Sequence, residues 1–253
     1  MHVIDTPYLR SAYGKRIFAF GESSAPTTVV IVGSCRVVPF LNYLRSHETP
    51  MNILCFNPVE MWDGPGHEVS DGVNAVMAGF RFGKVDYMIC EHLQYCGAIN
   101  TVRSSKDNIY DSLGCNPDVE IRLPNWQGIH LFDTETAIYD PTGYGNLSHE
   151  EKVSHIRIES AKHRARFLSH CRKSSFPQLE SWVEERWLTT RLGWSSNHPT
   201  LTLTNKMFDL IADRMNLPLS ATFKQSPLYT QDRMAPTGYA LTSVDYEANN
   251  WKF

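Results

Sequence analysis

The sequence predicts an α/β fold: three layers, with a parallel sheet between helices, followed by a helical C-terminal portion. Three observations lead there. Apolar runs at Val29-Val30-Ile31-Val32, Asn52-Ile53-Leu54-Cys55-Phe56 and Val85-Asp86-Tyr87-Met88-Ile89-Cys90 have the length and composition of core strands. Helix-like segments separate them, and strand alternating with helix is the signature of a parallel sheet covered by helices. Beyond residue 148 the apolar positions recur at helical spacing instead. The chain has 253 residues, enough to bury a substantial core. It is expected to form one α/β domain over residues 1–253, with a core from about 28 to 218, an N-terminal extension 1–27 and a C-terminal tail 219–253.

Each element has a local reason. Ile17-Phe18-Ala19-Phe20-Gly21 suits a short edge strand. After Val29–Val32, Gly33-Ser34 breaks the strand, and Val37 to Arg45 reads as a helix with Val37, Val38, Leu41 and Leu44 inward. Asp71 can cap a helix with Val73, Val76, Met77 and Phe80 inward. The stretch from Gly97 to Gly145 is irregular and punctuated by prolines, with Ile129-His130-Leu131-Phe132 as a possible further strand. Ser148-His149-Glu150-Glu151 is a capping box opening a long basic helix to about Arg172, with Val153, Ile156, Ala161, Ala165 and Leu168 apolar. A second cap at Ser175 and Gln178 precedes a helix to about Leu192. After Pro199 a helix carries Leu203, Met207, Leu210, Ile211 and Met215 inward. The last 30 residues are polar and proline-interrupted, which suggests a surface wrap or a partner contact.

Composition narrows the function classes. A net charge of −3 gives no electrostatic reason for a nucleic-acid partner. No segment reads as a signal peptide, and no apolar run approaches a membrane span. A cytoplasmic setting is expected, with the six cysteines mainly free thiols. No CxxC occurs, so a zinc ribbon or thioredoxin-type redox pair is not supported, and no metal is expected.

Cys35 lies at the turn between the first core strand and its helix. A cysteine there gains from a helix N-terminus and from free backbone N–H groups, both of which favour the thiolate. Gly33 permits a tight turn, and Arg36 adds positive charge beside the sulfur. The competing reading is a packed small residue. A cysteine nucleophile needs a base. Of ten histidines, His198 in Asn197-His198-Pro199 is best placed, on a loop directly before a helix. His92, beside Glu91 at the end of the third strand, is second. His155, His163 and His170 on the basic helix are expected to form a solvated face. Strand ends are where ligands collect in parallel sheets, and Cys35, Asn57 and Glu91-His92 all fall there.

Together, a strand ending in Gly33-Ser34-Cys35-Arg36 and a late Asn197-His198-Pro199 followed by an apolar helix resemble the WcbI-type polysaccharide-biosynthesis acetyltransferases. That family usually carries Gly-Asn-Cys-Gln at the first motif, so Arg36 stands here for glutamine. Cys90-Glu91-His92 and Leu123-Pro124-Asn125 fall between the motifs in matching order. The family in turn resembles the SGNH (GDSL) hydrolases, whose late motif is Asp-x-x-His-Pro; in this chain the position three before His198 is Ser195. The resemblance implies an SGNH- or flavodoxin-like fold. It also implies a CoA-dependent O-acyltransferase, with acetyl-CoA as co-substrate and a glycan hydroxyl as acceptor. Cys35 and His198 would be catalytic, with Asn197 orienting. Gly33, Ser34, Arg36, Glu91 and His92 would line the oxyanion and substrate site. Arg36, Arg191, Arg164 and Arg166 would meet the phosphates of CoA. Either Cys35 takes the acyl group as a thioester, or His198 deprotonates the acceptor for direct attack. Two alternatives stand beside this: a cysteine-dependent esterase or deacylase, and a non-catalytic glycan-binding or structural protein on the same scaffold.

Overall fold

The computed structural model describes residues 17–20, 25–33, 37–56, 84–91, 117–126, 128–196, 198–232, 235 and 238–253. The chain divides into two compact units. One comprises residues 1–123 and 214–223; the other comprises 124–213 and 224–253.

The first unit is built on a five-stranded sheet. Strand β1 is Ile17–Phe20, β2 Thr27–Val32, β3 Met51–Phe56, β4 Val85–Glu91 and β5 Pro117–Leu123, in the order β1-β3-β2-β4-β5. Strands β3, β2, β4 and β5 are parallel, and β1 adds an antiparallel edge on β3. The expected α/β architecture, a parallel sheet with flanking helices, is the one observed. Strand β2 is central, and its Val29, Val30 and Ile31 are fully buried, as a strand covered on both faces requires. Helix α1 (Val38–Arg45) follows with Pro39 in its first turn, where the missing N–H costs nothing. It buries Phe40, Leu41, Tyr43 and Leu44, with Val37 buried just ahead of it. The Tyr43 and Tyr87 hydroxyls donate to the Leu217 and Met215 carbonyls, at 2.7 and 3.1 Å, so the segment 214–223 is tied onto the sheet unit. Burial pushes the Tyr43 phenol up to about 12.

Strand β5 was not expected. Pro117 is one of the prolines that punctuate the 97–145 stretch, yet proline is tolerated as the first residue of a strand. The segment alternates strictly, with Val119, Ile121 and Leu123 apolar between Asp118, Glu120 and Arg122. That is the pattern of a half-buried edge strand rather than of a core run. The helix expected after Asp71 lies outside the described residues.

The second unit is helical: α2 (Asp133–Tyr139), α3 (His149–Lys173), α4 (Leu179–Arg186), most of α5 (Leu201–Met215), α7 (Pro227–Thr230) and α8 (Ser243–Asn249). The short α6 (Ala221–Gln225) begins in the first unit. The capping box of α3 forms as expected. The Glu151 N–H donates to Ser148 Oγ, and the Ser148 N–H donates to the Glu151 carboxylate. The five inward residues expected on α5 are all buried.

Five local expectations fail. Residues 129–132 form no strand; they are a buried loop whose His130 and Phe132 enter an aromatic cluster with Trp187 and Trp251. Ala161 and Ala165 face solvent, and α3 instead buries Ser160, Phe167, His170 and Cys171. Of the three histidines assigned to a solvated face, only His155 is exposed. His170 is buried, with a hydrogen bond to the Asn125 backbone, and His163 is half-buried where its backbone meets Gly128. Helix α4 stops at Arg186, short of Leu192. The tail is core, not wrapping: Val244 and Ala248 of α8 pack with Tyr144, Val153 and Ile156, and Trp251 is buried.

Candidate functional site

In the sheet unit the chain passes from β2 to β3 on one side, then returns across to β4 on the other. The strand order therefore reverses between β2 and β4, and the crevice beyond their C-terminal ends is where open parallel sheets bind ligands. Two expected site residues are described there. Gly33 directly follows β2, and Glu91 is the last residue of β4. They touch: a Cβ on Gly33 would sit 3.1 Å from Glu91 Cβ and 3.3 Å from Glu91 Oε2. It would also sit 2.3 Å from Val37 Cγ1. Glycine is therefore required at this position because of close approach. Glu91 has no solvent exposure at all. A buried carboxylate is costly unless it is hydrogen-bonded or paired, so its placement beside the Gly33 turn is a specific feature of this fold. Ser34, Cys35, Arg36, Asn57, His92 and Asn197 lie outside the described residues. The described cysteines, Cys55, Cys90 and Cys171, are buried thiols outside any disulfide.

In the helical unit, His198 sits on the loop between α4 and α5. The loop is closed at its base by a bridge between Gly193 and Pro199 and by the Trp194 N–H donating to the His198 carbonyl at 2.8 Å. Its tip is held by Glu135 of α2, which accepts from both the Ser196 N–H and the Ser196 hydroxyl at 2.8 Å. The Ser196 carbonyl accepts from the N–H groups of Gly128 and Ile129. Burial raises the Glu135 carboxyl, and the two hydrogen bonds from Ser196 oppose that shift. Within the loop, Ser195 Oγ lies 2.9 Å from His198 Nδ1. Ser195 itself is 4% exposed. The sequence carried a signal for this pair, since the two residues lie three apart in one short loop. Glu135 carried none; its contact spans 61 residues.

The candidate phosphate-binding arginines differ in setting. Arg191 donates to the carbonyls of Gly193, Trp194 and Tyr239, and its guanidinium lies over the rings of Trp194 and Phe132, at 4.4 and 5.2 Å. It pins the His198 loop to the C-terminal segment. Arg164 lies over Trp187 at 5.5 Å, and Arg166 is exposed on α3. Among the described residues no group of three His, Cys, Asp or Glu is arranged to hold a metal, and no helix is long and apolar enough to cross a membrane.

No protein-family model matches the sequence, and no curated protein does. Among solved structures, the fold is similar to that of WcbI, described as a novel polysaccharide biosynthesis enzyme; the structure in question is the native protein without a disulfide bond between CoA and one of its cysteines. The two superpose with a TM-score of 0.53 at 14% identity, over 90% of this chain and 80% of that one. At that identity the likeness concerns the fold, and the fold of this chain is of the WcbI kind.

Proposed function

We propose that this chain binds CoA and acts as a CoA-dependent O-acyltransferase, transferring an acyl group from acyl-CoA to a sugar or polysaccharide hydroxyl. The observation that carries the reading is the meeting of Gly33 and the fully buried Glu91 at the point where the strand order reverses, on a fold similar to that of a polysaccharide-biosynthesis enzyme whose structure is described as lacking a disulfide bond between CoA and a cysteine. The segment Ser34-Cys35-Arg36 follows Gly33 directly in the sequence, and Gly33 lies at a strand end of the kind at which such sheets bind ligands, which supports Cys35 as the candidate nucleophile.

The proposed chemistry balances in two steps. His198 takes the Cys35 proton, and the thiolate attacks the acyl-CoA carbonyl. The C–S bond to CoA then breaks, and the CoA thiolate receives the proton from His198. The acceptor hydroxyl next gives its proton to His198 and attacks the Cys35 thioester, which releases the ester and restores the thiol. Backbone N–H groups at the start of α1 suit the oxyanion of both steps. In this reading Arg36 and the α3 residues Arg164 and Arg166 serve the CoA phosphates, and Arg191 fixes the His198 loop.

The test is release of free CoA thiol from acetyl-CoA, with and without a panel of sugar acceptors. Acceptor-dependent release that disappears in Cys35→Ala and His198→Ala supports the proposal. Ester hydrolysis in the absence of CoA would assign the chain to the esterases instead. CoA binding with no turnover on any acceptor would leave a binding protein and overturn the transferase.

A further inference from the structure

We propose that Ser195 is the positioning residue of His198: its hydroxyl orients the imidazole. This rests on the proposed role of His198. Ser195 Oγ is 2.9 Å from His198 Nδ1, and Ser195 is 4% exposed. A buried hydroxyl at that distance from a ring nitrogen is a made hydrogen bond.

The backbone on both sides of the serine is held independently. On one side the Trp194 N–H reaches the His198 carbonyl, the Tyr239 N–H reaches the Trp194 carbonyl at 2.9 Å, and Trp194 Nε1 donates to Asp232 at 2.7 Å. On the other, Ser196 is fixed by Glu135 and by the N–H groups of Gly128 and Ile129. Gly193 admits no side chain: its Cβ would meet the Ser195 carbonyl at 2.9 Å and Ile129 Cγ2 at 3.0 Å. With the loop set in this way, the Ser195 hydroxyl is held where it orients the imidazole.

The chemical consequence follows from what each group offers. A carboxylate only accepts, so it fixes the proton on Nδ1 and stabilises the imidazolium. A hydroxyl donates or accepts. When Ser195 accepts, Nδ1 carries the proton and Nε2 is the base. When Ser195 donates, Nε2 carries the proton and is a donor. The proposed reaction uses the first state, in which Nε2 takes the Cys35 proton and then gives it to the leaving CoA thiolate while Nδ1–H stays on the Ser195 hydroxyl.

The experiment uses the full chain labelled with 15N at its histidine side chains. The His198 ring resonances are assigned by their loss in His198→Gln. In Ser195→Ala the Nδ1 and Nε2 resonances of His198 shift, and in Ser195→Thr, which keeps the hydroxyl, they return towards wild type. Ser196→Ala loosens the loop tip without touching the Ser195 hydrogen bond, so it lowers stability and leaves the His198 resonances in place. In the acyl-transfer assay Ser195→Ala lowers kcat by about tenfold or more, as loss of orientation does, with the KM for acyl-CoA changed by less than about threefold, as expected of a group that acts after binding. Unchanged His198 resonances in Ser195→Ala, or a Ser195→Thr variant that is folded and matches Ser195→Ala, overturn the proposal. The resonances are read without turnover. A wild type with no transferase activity therefore overturns the proposed function while the spectra still decide the role of Ser195.

Discussion

Replacing Gly33 with alanine probes the close packing at the end of β2. The added methyl would lie 2.3 Å from Val37 Cγ1, whereas ordinary contact begins near 3.4 Å. Roughly 1 Å must be found, and neither neighbour gives it easily. Val37 is β-branched, held to few rotamers, and fully buried at the entry to α1. Glu91 is fully buried at the end of β4, with its own Cβ 3.1 Å from the new methyl. Overpacking of this kind costs about 1–3 kcal/mol. The sheet unit should therefore open more readily, and hydrogen exchange in peptides covering 27–45 and 85–91 should speed up about five- to hundredfold, since each 1.4 kcal/mol is tenfold. Gly145→Ala is the control, because its Cβ meets only the Asp140 carbonyl at 3.7 Å. If Gly33→Ala exchanges at the wild-type rate, like the control, the account of a glycine required by close approach at the β2 end is wrong.

Ser148→Ala removes one half of the α3 capping box and should cost about 1 kcal/mol, read as a lower urea midpoint with an unchanged slope. Arg191→Ala should destabilise the helical unit by about 2–3 kcal/mol, because three carbonyls lose a charged donor and two rings lose their cation. A variant of wild-type stability that has lost only CoA affinity would reverse the loop-pinning role given to Arg191. His130 is pushed down to about 3 by burial and by Arg191, below its unfolded value of 6.5, so it charges only on unfolding. Its contribution is therefore fully present above pH 6.5 and is lost as pH falls from there towards 3. His163 and His170 are lowered too and act in the same direction. In His130→Phe the drop in urea midpoint between pH 7 and pH 5 should shrink; an unchanged drop would exclude His130 as a source of acid sensitivity.

The parts of the fold that were legible in the sequence are those governed by contiguous residues. The β2 run, the Gly33 break, the Ser148 capping box and the α5 stripe each depend on spacing within one element, and each appears where expected. The failures have physical reasons of another kind. Strand β5 has alternating polarity and a leading proline, so its signal was that of a partly exposed edge. Residues 129–132 are apolar enough for a strand, but no partner strand lies beside them among the described residues, and His130 and Phe132 enter an aromatic cluster instead. His163 and His170 looked solvated because α3 is polar overall. Their burial follows from contact with the 125–128 segment, which lies some 35 to 45 residues away in the chain.

The candidate site divides along the same line. The sequence by itself determined the residue types and their local settings: a cysteine after Gly33 at the end of an apolar strand, a carboxylate closing β4, and a histidine before a proline at a helix entry. Only the tertiary structure decided that β2 lies between β3 and β4, which brings Glu91 against Gly33. It also decided that Ser195 and Glu135 hold the His198 loop, and that Arg191 is committed to carbonyls and rings. The reason is that strand order and buried polar pairing are settled by which long-range combination buries the most apolar surface while satisfying every polar group, and no single window of residues contains that competition.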